Sequence, residues 1–305
     1  MKPETHSFYE SAVQAALTRV MASLDEALDL GRLAREAALS PFHFHRIFRG
    51  MVGETPLELQ RRLRLERAAY QLFSLDTLVT SVAFNAGYES HEAFTRAFRA
   101  AFGCSPSEFR QARSAERASC VRPPQIEIAA RCSIHFQPPG STQPFIVKGG
   151  VAMNVEVKQL AELRTATAHH VGPYSRISDA FGRLGEIAGR AGLVQGKPTM
   201  LAIYHDDPET TPESELSSDA ALVVSEDSKI PEGLAERRLP AGRYACTLHV
   251  GPYEHLGDAW ACFMGQWLPQ SGERIGHGTA FEIYLNTPMD VPKQELRTEL
   301  YIPLA

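Results

Sequence analysis

Residues 91–102 carry polar side chains at a spacing that suits contact with the base edges of double-stranded DNA. In a helix, Thr95, Arg96 and Arg99 would lie on one side, opposite a stripe of phenylalanine and alanine. An arginine can donate two hydrogen bonds to guanine, and a threonine methyl group can contact the methyl group of thymine. A helix with an apolar back and such a front fits the major groove. The segment is therefore a candidate recognition helix.

The residues before this helix supply the turn that would position it. Gly87 permits a tight turn, and Ser90 is placed to accept a hydrogen bond from an unpaired backbone amide at the helix start. Residues 82–109 thus predict a short helix, a turn and a second helix, which is the arrangement of a helix-turn-helix motif.

The same pattern occurs earlier in the chain, in residues 33–59. The two copies align at polar, aromatic and turn positions: Ser40 with Ser90, Phe44 with Phe94, Arg46 with Arg96, Phe48 with Phe98, Arg49 with Arg99, Gly53 with Gly103, Pro56 with Pro106 and Glu58 with Glu108. One copy alone would fit a generic helical bundle equally well. The paired matches favour two DNA-reading units in one chain.

The segments LSPFHFHRIFRGMVGETPLELQRRLRLERA and VAFNAGYESHEAFTRAFRAAFGCSPSEFR resemble the signature of the AraC/XylS family of bacterial transcription regulators. The resemblance covers residues 5–113 and implies two helix-turn-helix units held apart by a central helix. It also implies which side chains face DNA: Phe42, His45, Arg46 and Arg49 in the first unit, and Glu92, Thr95, Arg96 and Arg99 in the second. The arginines could instead contact only phosphates or neighbouring carboxylates.

Two further helices are expected to support the reading units. Residues 6–29 have apolar side chains at helical spacing, which predicts an amphipathic helix under the first unit. Residues 56–73 predict a longer helix that would hold the two recognition helices about 34 Å apart, one turn of DNA. Arginines are spread around this second helix, so some must face solvent or phosphate. They are Arg61, Arg62, Arg64 and Arg67.

Length and composition indicate a globular protein of two domains. The chain has 305 residues, of which 44% are hydrophobic and 22% charged, and its formal net charge is −5. Basic and acidic residues are nearly balanced in residues 1–120, so DNA affinity would depend on where the arginines are placed. A long apolar run and a signal peptide are both lacking, which predicts a cytoplasmic protein without a membrane partner.

The cysteines form no CxxC pair and lie far apart, so neither a disulfide framework nor a metal site is indicated, and no cofactor is expected. Cys120 and Cys132 fall in a proline-rich segment, residues 114–148, which we interpret as a linker. Either thiol could be reactive there. Within this segment, IEIAARCSIHF could form an edge strand.

A second internal repeat follows the linker. HVGPY occurs at 170–174 and 249–253, MLAIYHDDP at 200–208 matches AFEIYLNTP at 280–288, and SELSSDAALVV at 214–224 matches QELRTELYIPL at 294–304. Each copy predicts a strand, a turn, a helix and two strands. Because the turn is duplicated, we interpret its histidines as structural.

The expected fold is therefore an all-α double helix-turn-helix domain over residues 1–113, followed by an α+β domain over residues 149–305. The second domain would consist of two pseudo-repeated antiparallel units related by a pseudo-twofold axis. Such units would leave a cleft between them.

The doubled HVGPY and FEIYLNTP segments resemble the GyrI-like effector-binding domain, over about residues 150–305. In ligand-binding members a buried glutamate among aromatic residues attracts lipophilic cations. Glu282 matches that position, and its counterpart in the first copy is Ala202. The resemblance implies aromatic ligand contacts from Tyr174, Tyr253, Trp260, Trp267, Phe281 and Tyr284. Aromatics at such spacing are also typical of cores, so about half of these should be packing alone, and Glu282 could point to solvent.

These features predict a transcription regulator, not an enzyme. It would bind promoter DNA and a small hydrophobic, cationic effector, with RNA polymerase as a further candidate partner. Two alternatives for the second domain stay open. It could hydrolyse strained, electrophilic small molecules with Glu282 and Tyr253 as acid and base. It could also be a ligand-free docking module in which Trp260 and Trp267 fill the pocket.

Overall fold

The computed structural model describes residues 3–117, 134–136, 153–194, 196, 198–206 and 211–305. Most of the predicted linker, with Cys120 and Cys132, lies outside these residues. The predicted edge strand in the linker also lies outside them, except for residues 134–136, which form no strand. Among the described helices, none has the length and apolar character that crossing a membrane requires.

The N-terminal part of the described chain is helical throughout. Its helices are α1 (Pro3–Ala22), α2 (Leu30–Glu36), α3 (Pro41–Val52), α4 (Pro56–Ser74), α5 (Val79–Asn85), α6 (His91–Phe102) and α7 (Pro106–Arg117). The first helix ends earlier than its apolar spacing predicts. Side chains of α4 bind the carbonyl groups that follow it: Gln60 Nε2 donates to Ser23 O and Glu26 O at 3.2 and 3.0 Å.

The two candidate recognition helices, α3 and α6, begin and end in the same way. Ser40 and Ser90 each accept a hydrogen bond from the backbone amide three residues further on, at 3.2 and 3.1 Å. Gly53 and Gly103 end the helices with φ values of 86° and 75°, a left-handed conformation that glycine adopts without strain. The predicted serine cap of α6 is confirmed, and the sequence repeat is a structural repeat.

The C-terminal part forms one antiparallel sheet. Its strands are β1 (Val155–Leu160), β2 (Leu163–Val171), β3 (Met200–Tyr204), β4 (Ser217–Val223), β5 (Ala235–Leu239), β6 (Gly242–Val250), β7 (Phe281–Tyr284) and β8 (Arg297–Pro303). Their order is β1-β6-β8-β7-β3-β4-β2-β5. The order is symmetric about the β7–β3 pair, where Glu282 lies opposite Ala202. The predicted pair of antiparallel units is therefore confirmed.

Each unit carries one helical segment on the sheet. Helix α8 (Ile177–Arg190) follows β2. The second unit has α9 (Leu256–Cys262), a π-helical turn (Phe263–Trp267) and α10 (Leu268–Ser271). These three pieces run without a break, and we call residues 256–271 the covering helix.

Both HVGPY turns are held by their own histidine. His170 Nε2 lies 3.1 Å from the carbonyl oxygen of Pro173, and His249 Nε2 lies 3.3 Å from that of Pro252. Each ring closes the turn between a strand and the following helical segment. These contacts give each histidine a structural role within its own turn.

The two helix-turn-helix units are repeats in sequence, but they belong to different hydrophobic cores. Phe44 and Phe48 of α3 belong to a core that continues through Trp260 and Phe263 of the covering helix into the sheet. The second helix-turn-helix unit has a separate core, built on Phe94, Phe98, Phe109 and residues of α4 and α5. The first reading unit is thus packed on the C-terminal domain, whereas the second is not part of that core.

The arginines of α4 differ in role. Arg62 is buried and donates to Glu54 Oε1 at 2.9 Å, Glu66 Oε1 at 2.8 Å and the carbonyl oxygen of Ile134 at 2.8 Å. It therefore ties α4 to residues 134–136 and is unavailable to a phosphate. Arg61 is exposed, as expected for some members of this group.

Arg62→Met should lower the free energy of unfolding by about 3 to 5 kcal/mol, because it removes the positive charge beside two shielded carboxylates. Arg61→Met, one residue away and exposed, should change it by less than about 0.5 kcal/mol. Urea unfolding of both variants measures the difference. Similar small losses in the two variants would contradict the structural role of Arg62.

Candidate DNA-reading helices and the Glu282 site

The second recognition helix presents its predicted base-reading face to solvent. Glu92, Arg96 and Arg99 are exposed, and Thr95 is partly buried between them. Arg99 Nη2 lies 3.9 Å from Oε2 of the exposed Glu108, which is a long contact. Helix α6 therefore places its arginines where a major groove could receive them, and their role as DNA contacts stays a prediction.

The first recognition helix presents the equivalent face to the C-terminal domain. The guanidinium carbon of Arg46 lies 4.4 Å from the ring centre of Phe42 and 4.8 Å from that of Trp260. Arg49 Nη2 pairs with Asp258 Oδ1 at 2.8 Å, and His45 is buried. The sequence pattern predicts the same role for both recognition helices. In the structure, α3 packs on the covering helix, whereas α6 presents Arg96 and Arg99 to solvent.

Two glycines allow α3 and the covering helix to approach closely. A Cβ atom added to Gly50 would lie 1.9 Å from the carbonyl oxygen of Ala261, and one added to Gly265 would lie 2.3 Å from the Cα atom of Gly50. Such distances are impossible without moving a backbone. The contact thus depends on the absence of side chains at both positions.

Glu282 points into the protein beneath the covering helix. It is 2% exposed, and the idea that it points to solvent is wrong. Trp260 Nε1 donates to Glu282 Oε1 at 2.7 Å, and the hydroxyl groups of Tyr284 and Tyr204 donate to Oε2 at 2.7 and 3.3 Å. A buried carboxyl group is thus held by three neutral donors with aromatic rings.

Burial and hydrogen bonding act in opposite directions on this carboxyl group. Desolvation raises the pKa of Glu282, while the bonds from Trp260 and Tyr284 and the positive charge of Arg46 oppose the rise. Burial also keeps the pKa values of Tyr204 and Tyr284 well above their usual range, so both phenols remain protonated donors.

Two further predicted aromatics, Tyr253 and Tyr174, pack on the tyrosines that bond to Glu282. The Tyr253 ring packs on Tyr284 with centres 5.3 Å apart, and the Tyr174 ring packs on Tyr204 at 4.8 Å. Both therefore border the site.

Two of the predicted aromatics do not reach Glu282. Trp267 packs on Phe263, with ring centres 5.5 Å apart. Phe281 stacks on Tyr301 at 4.8 Å in a core on the other face of the sheet, because neighbours on a strand point to opposite faces. The structure therefore does not bring Phe281 to the carboxylate.

Sequence reasoning missed two residues at this site. Tyr204 is the repeat counterpart of Tyr284, so the alignment of MLAIY with AFEIY held the signal for it. Arg46 lies in the other domain. The internal repeats give no information on contacts between domains, so the sequence does not predict that Arg46 stacks on Trp260.

Two segments of the chain match families of known proteins. Residues 153–305, half of the chain, match the family described as the GyrI-like small molecule binding domain. The chain belongs to the GyrI-like family. Residues 33–112 match a helix-turn-helix domain, here of the AraC type. The protein is thus a DNA-binding helix-turn-helix regulator with a GyrI-like domain.

Two relatives each match one part of the chain. The chain is 32% identical over 158 residues to the DNA gyrase inhibitor of Erwinia billingiae, covering 50% of this chain and 98% of that protein. It is 38% identical over 98 residues to the RCS-specific HTH-type transcriptional activator RclR of Escherichia coli, covering 32% and 34%. The EcmrR–DNA complex in EcmrR-RPo is a looser structural match, with a TM-score of 0.44, 20% identity and coverage of 50% and 57%.

The GyrI-like domain has a second buried carboxylate, Asp219 of β4. His169 Nδ1 and His205 Nε2 each lie 2.8 Å from one of its oxygens, and Arg237 Nη2 lies 3.2 Å away. The two nitrogens and the carboxylate lie within 4.8 Å of one another, a grouping that a metal ion could use. Because Arg237 already neutralises Asp219, we interpret the cluster as a structural network.

Tyr284→Phe should raise the pKa of Glu282, because it removes the shorter phenol hydrogen bond to the ionised carboxylate. Tyr253→Phe is the control, since its ring packs on Tyr284 and its hydroxyl is not bonded to Glu282 in the described contacts. An NMR titration of the Glu282 carboxyl carbon compares the two variants with the unmodified protein. Equal pKa values in all three would contradict the assigned bond.

Proposed function

We propose that the protein is a transcription regulator whose GyrI-like domain binds a hydrophobic cation at Glu282. The observation that carries this proposal is the carboxyl group of Glu282, 2% exposed and held by the donors of Trp260, Tyr284 and Tyr204. A carboxylate in apolar surroundings is costly unless it is paired. A lipophilic cation supplies the opposite charge, and the rings add cation–π attraction of about 0.5 to 2 kcal/mol each.

Access to this site requires a movement. Trp260 is 1% exposed and donates directly to Glu282. A ligand that pairs with the carboxylate must take the place of this donor. The covering helix therefore has to shift, or its tryptophan has to rotate, before a cation can reach Glu282.

The DNA-binding part is proposed to read a promoter through two successive major grooves. Arg96 and Arg99 on α6 already face solvent, and α4 is the helix between the two units. RNA polymerase is the further partner that such a promoter-bound regulator would contact. In this proposal the effector changes promoter occupancy or polymerase contact by favouring one arrangement of the two domains.

The docking alternative receives support from a specific contact. The GyrI-like domain already uses the surface around Trp260 and Asp258 to hold α3 of its own chain. A domain that only docks helices would keep this surface and bind no small molecule. A hydrolase using Glu282 and Tyr253 has less support, because Tyr284 and Tyr204, rather than Tyr253, bond to the carboxyl group. Hydrolysis of a strained, electrophilic small molecule by the full chain would support this alternative.

Glu282→Gln should weaken binding of tetraphenylphosphonium by at least about tenfold, because about 1.4 kcal/mol of charge attraction is enough for that change. Neutral triphenylphosphine oxide should lose little affinity. The control is Glu299→Gln, which removes a carboxylate paired with Tyr301 on the other face of the sheet. Tryptophan fluorescence titration of the full chain measures the affinity of the unmodified protein and of both variants for each probe. If Glu282→Gln loses affinity equally for both probes, charge attraction by Glu282 is contradicted.

The same titration has a defined pH dependence. The pKa of Glu282 is raised, so its ionised fraction falls as the pH drops through that value. Affinity for the cation should decline in step, while affinity for the neutral probe should stay level. The Gln variant should show no such decline.

Arg96→Ala should relax base preference at one position of the second half-site by about 1 to 3 kcal/mol. Arg190→Ala, an exposed arginine of the GyrI-like domain, is the control. Selection of bound duplexes from a random-sequence library, followed by affinity measurements, tests this assignment. An unchanged base preference in the Arg96 variant would reject it.

A further inference from the structure

The guanidinium group of Arg46 crosses from the DNA-binding part into the GyrI-like domain. It stacks on Trp260 at 4.8 Å from the ring centre, and the same indole donates to Glu282 Oε1 at 2.7 Å. On its other side lies the ring of Phe42, at 4.4 Å. One aromatic side chain thus separates a cation of α3 from the buried carboxylate.

We propose that Arg46 is the built-in cation of the Glu282 site, and that a cationic effector displaces it and thereby frees the reading face of α3. This inference rests on the proposed function, since it concerns the same site. It adds a residue from the other domain to the ligand site and gives the means by which the site controls DNA binding.

An arginine suits this place. Its guanidinium group is planar, permanently charged and weakly hydrated, so it stacks on aromatic faces more readily than a lysine ammonium group. Its charge lowers the pKa of Glu282 against the effect of burial. The pKa of Tyr204 is lowered by the same charge, against a larger rise from burial. Arg46 therefore stabilises the ionised carboxylate while no ligand is bound.

The same tryptophan covers the carboxylate and supports the arginine. A ligand that pairs with Glu282 has to replace the indole donor, and a displaced indole no longer offers its face to Arg46. Other contacts of α3 with the covering helix include the Arg49–Asp258 pair, the Gly50–Gly265 approach and the hydrophobic core that the two helices share. Because close-packed backbones cannot slide by small steps, these contacts are kept or lost together.

Displacement would change which reading units are open. Arg46 and Arg49 correspond to Arg96 and Arg99 of the second unit, but they contact Trp260 and Asp258 of the covering helix, and Arg49 keeps 34% of its side-chain surface exposed. The same side chains cannot bind the covering helix and a major groove together. The docked chain has one open recognition helix, and the effector-bound chain would have two.

The first test removes the built-in cation. Arg46→Met keeps an apolar side chain on Trp260 but no charge, so tetraphenylphosphonium should bind the full chain more tightly than it binds the unmodified protein. The gain should be at least about fivefold, the lower end of typical coupling between sites. The matched control is Arg96→Met, the same change at the repeat counterpart, which should leave affinity unchanged. Triphenylphosphine oxide is the neutral probe and should gain less than the cation.

The outcomes separate this inference from the proposed function. Binding that Glu282→Gln abolishes, but that is equal in the Arg46 variant and the unmodified protein, keeps the cation site and overturns the role of Arg46. Weaker binding in the Arg46 variant also overturns it, because the arginine would then support the ligand. No binding of the cation by any variant overturns both proposals.

A second variant tests the release of α3 without altering a DNA-reading residue. Gly265→Ala places a Cβ atom 2.3 Å from Gly50 and should force the covering helix away from α3. Gly185→Ala on α8 is the control, since a Cβ atom there meets nothing within 4 Å. The probe is a duplex enriched by the unmodified protein from a random-sequence library. The Gly265 variant should bind it more tightly without any cation, and adding tetraphenylphosphonium should give little further gain. Unchanged or weaker DNA binding by a folded Gly265 variant, judged by circular dichroism, would overturn the inference.

Discussion

The hydrogen bond from Trp260 to the buried carboxylate of Glu282 links the Glu282 site to the contact between the two domains. It fixes the indole at the top of the site, and the fixed indole provides the surface on which Arg46 stacks. A carboxylate with so little access to water must be bonded to donors or lose its charge. The chain meets this requirement with one indole, two phenols and, beyond them, an arginine of the other domain.

This constraint makes two copies of one motif unequal. Helices α3 and α6 share a serine cap, a terminal glycine and a pair of arginines, yet within the part of the chain that the structure describes only α3 has a partner helix on its reading face. Part of the difference lies within the motif, where Gly50 has Ala100 as its counterpart. The rest lies outside it, in Gly265 and Trp260 of the covering helix. Their close approach to Gly50 and Arg46 joins the core of the first unit to that of the GyrI-like domain, while the core around Phe94 and Phe98 stays separate.

Much of the fold follows from the sequence because its signals are local and duplicated. The paired Ser40 and Ser90 predicted both helix starts, and the repeated HVGPY predicted the two halves of the sheet. Burial of Glu282 was an expectation with an open alternative, since strand alternation alone does not say which face is covered.

The contacts between domains had no such signal. Nothing near Arg62 in sequence shows that Ile134 accepts a hydrogen bond from it, and nothing near Arg46 shows that it stacks on Trp260. The resemblance implies Phe281 as a ligand contact, yet neighbours on a strand point to opposite faces, and Phe281 packs on Tyr301 away from Glu282. Long-range packing decided each of these cases.

The most direct measurement is a thermodynamic cycle on the full chain, with tetraphenylphosphonium and a duplex enriched by the protein itself. Affinity for the cation is measured with and without the duplex, and affinity for the duplex with and without the cation. If displacement of Arg46 opens the first recognition helix, each ligand should raise the affinity for the other by the same factor, because coupling between two binding sites is reciprocal. Independent binding, or a cation that weakens DNA binding, would contradict the proposed link between Glu282 and α3.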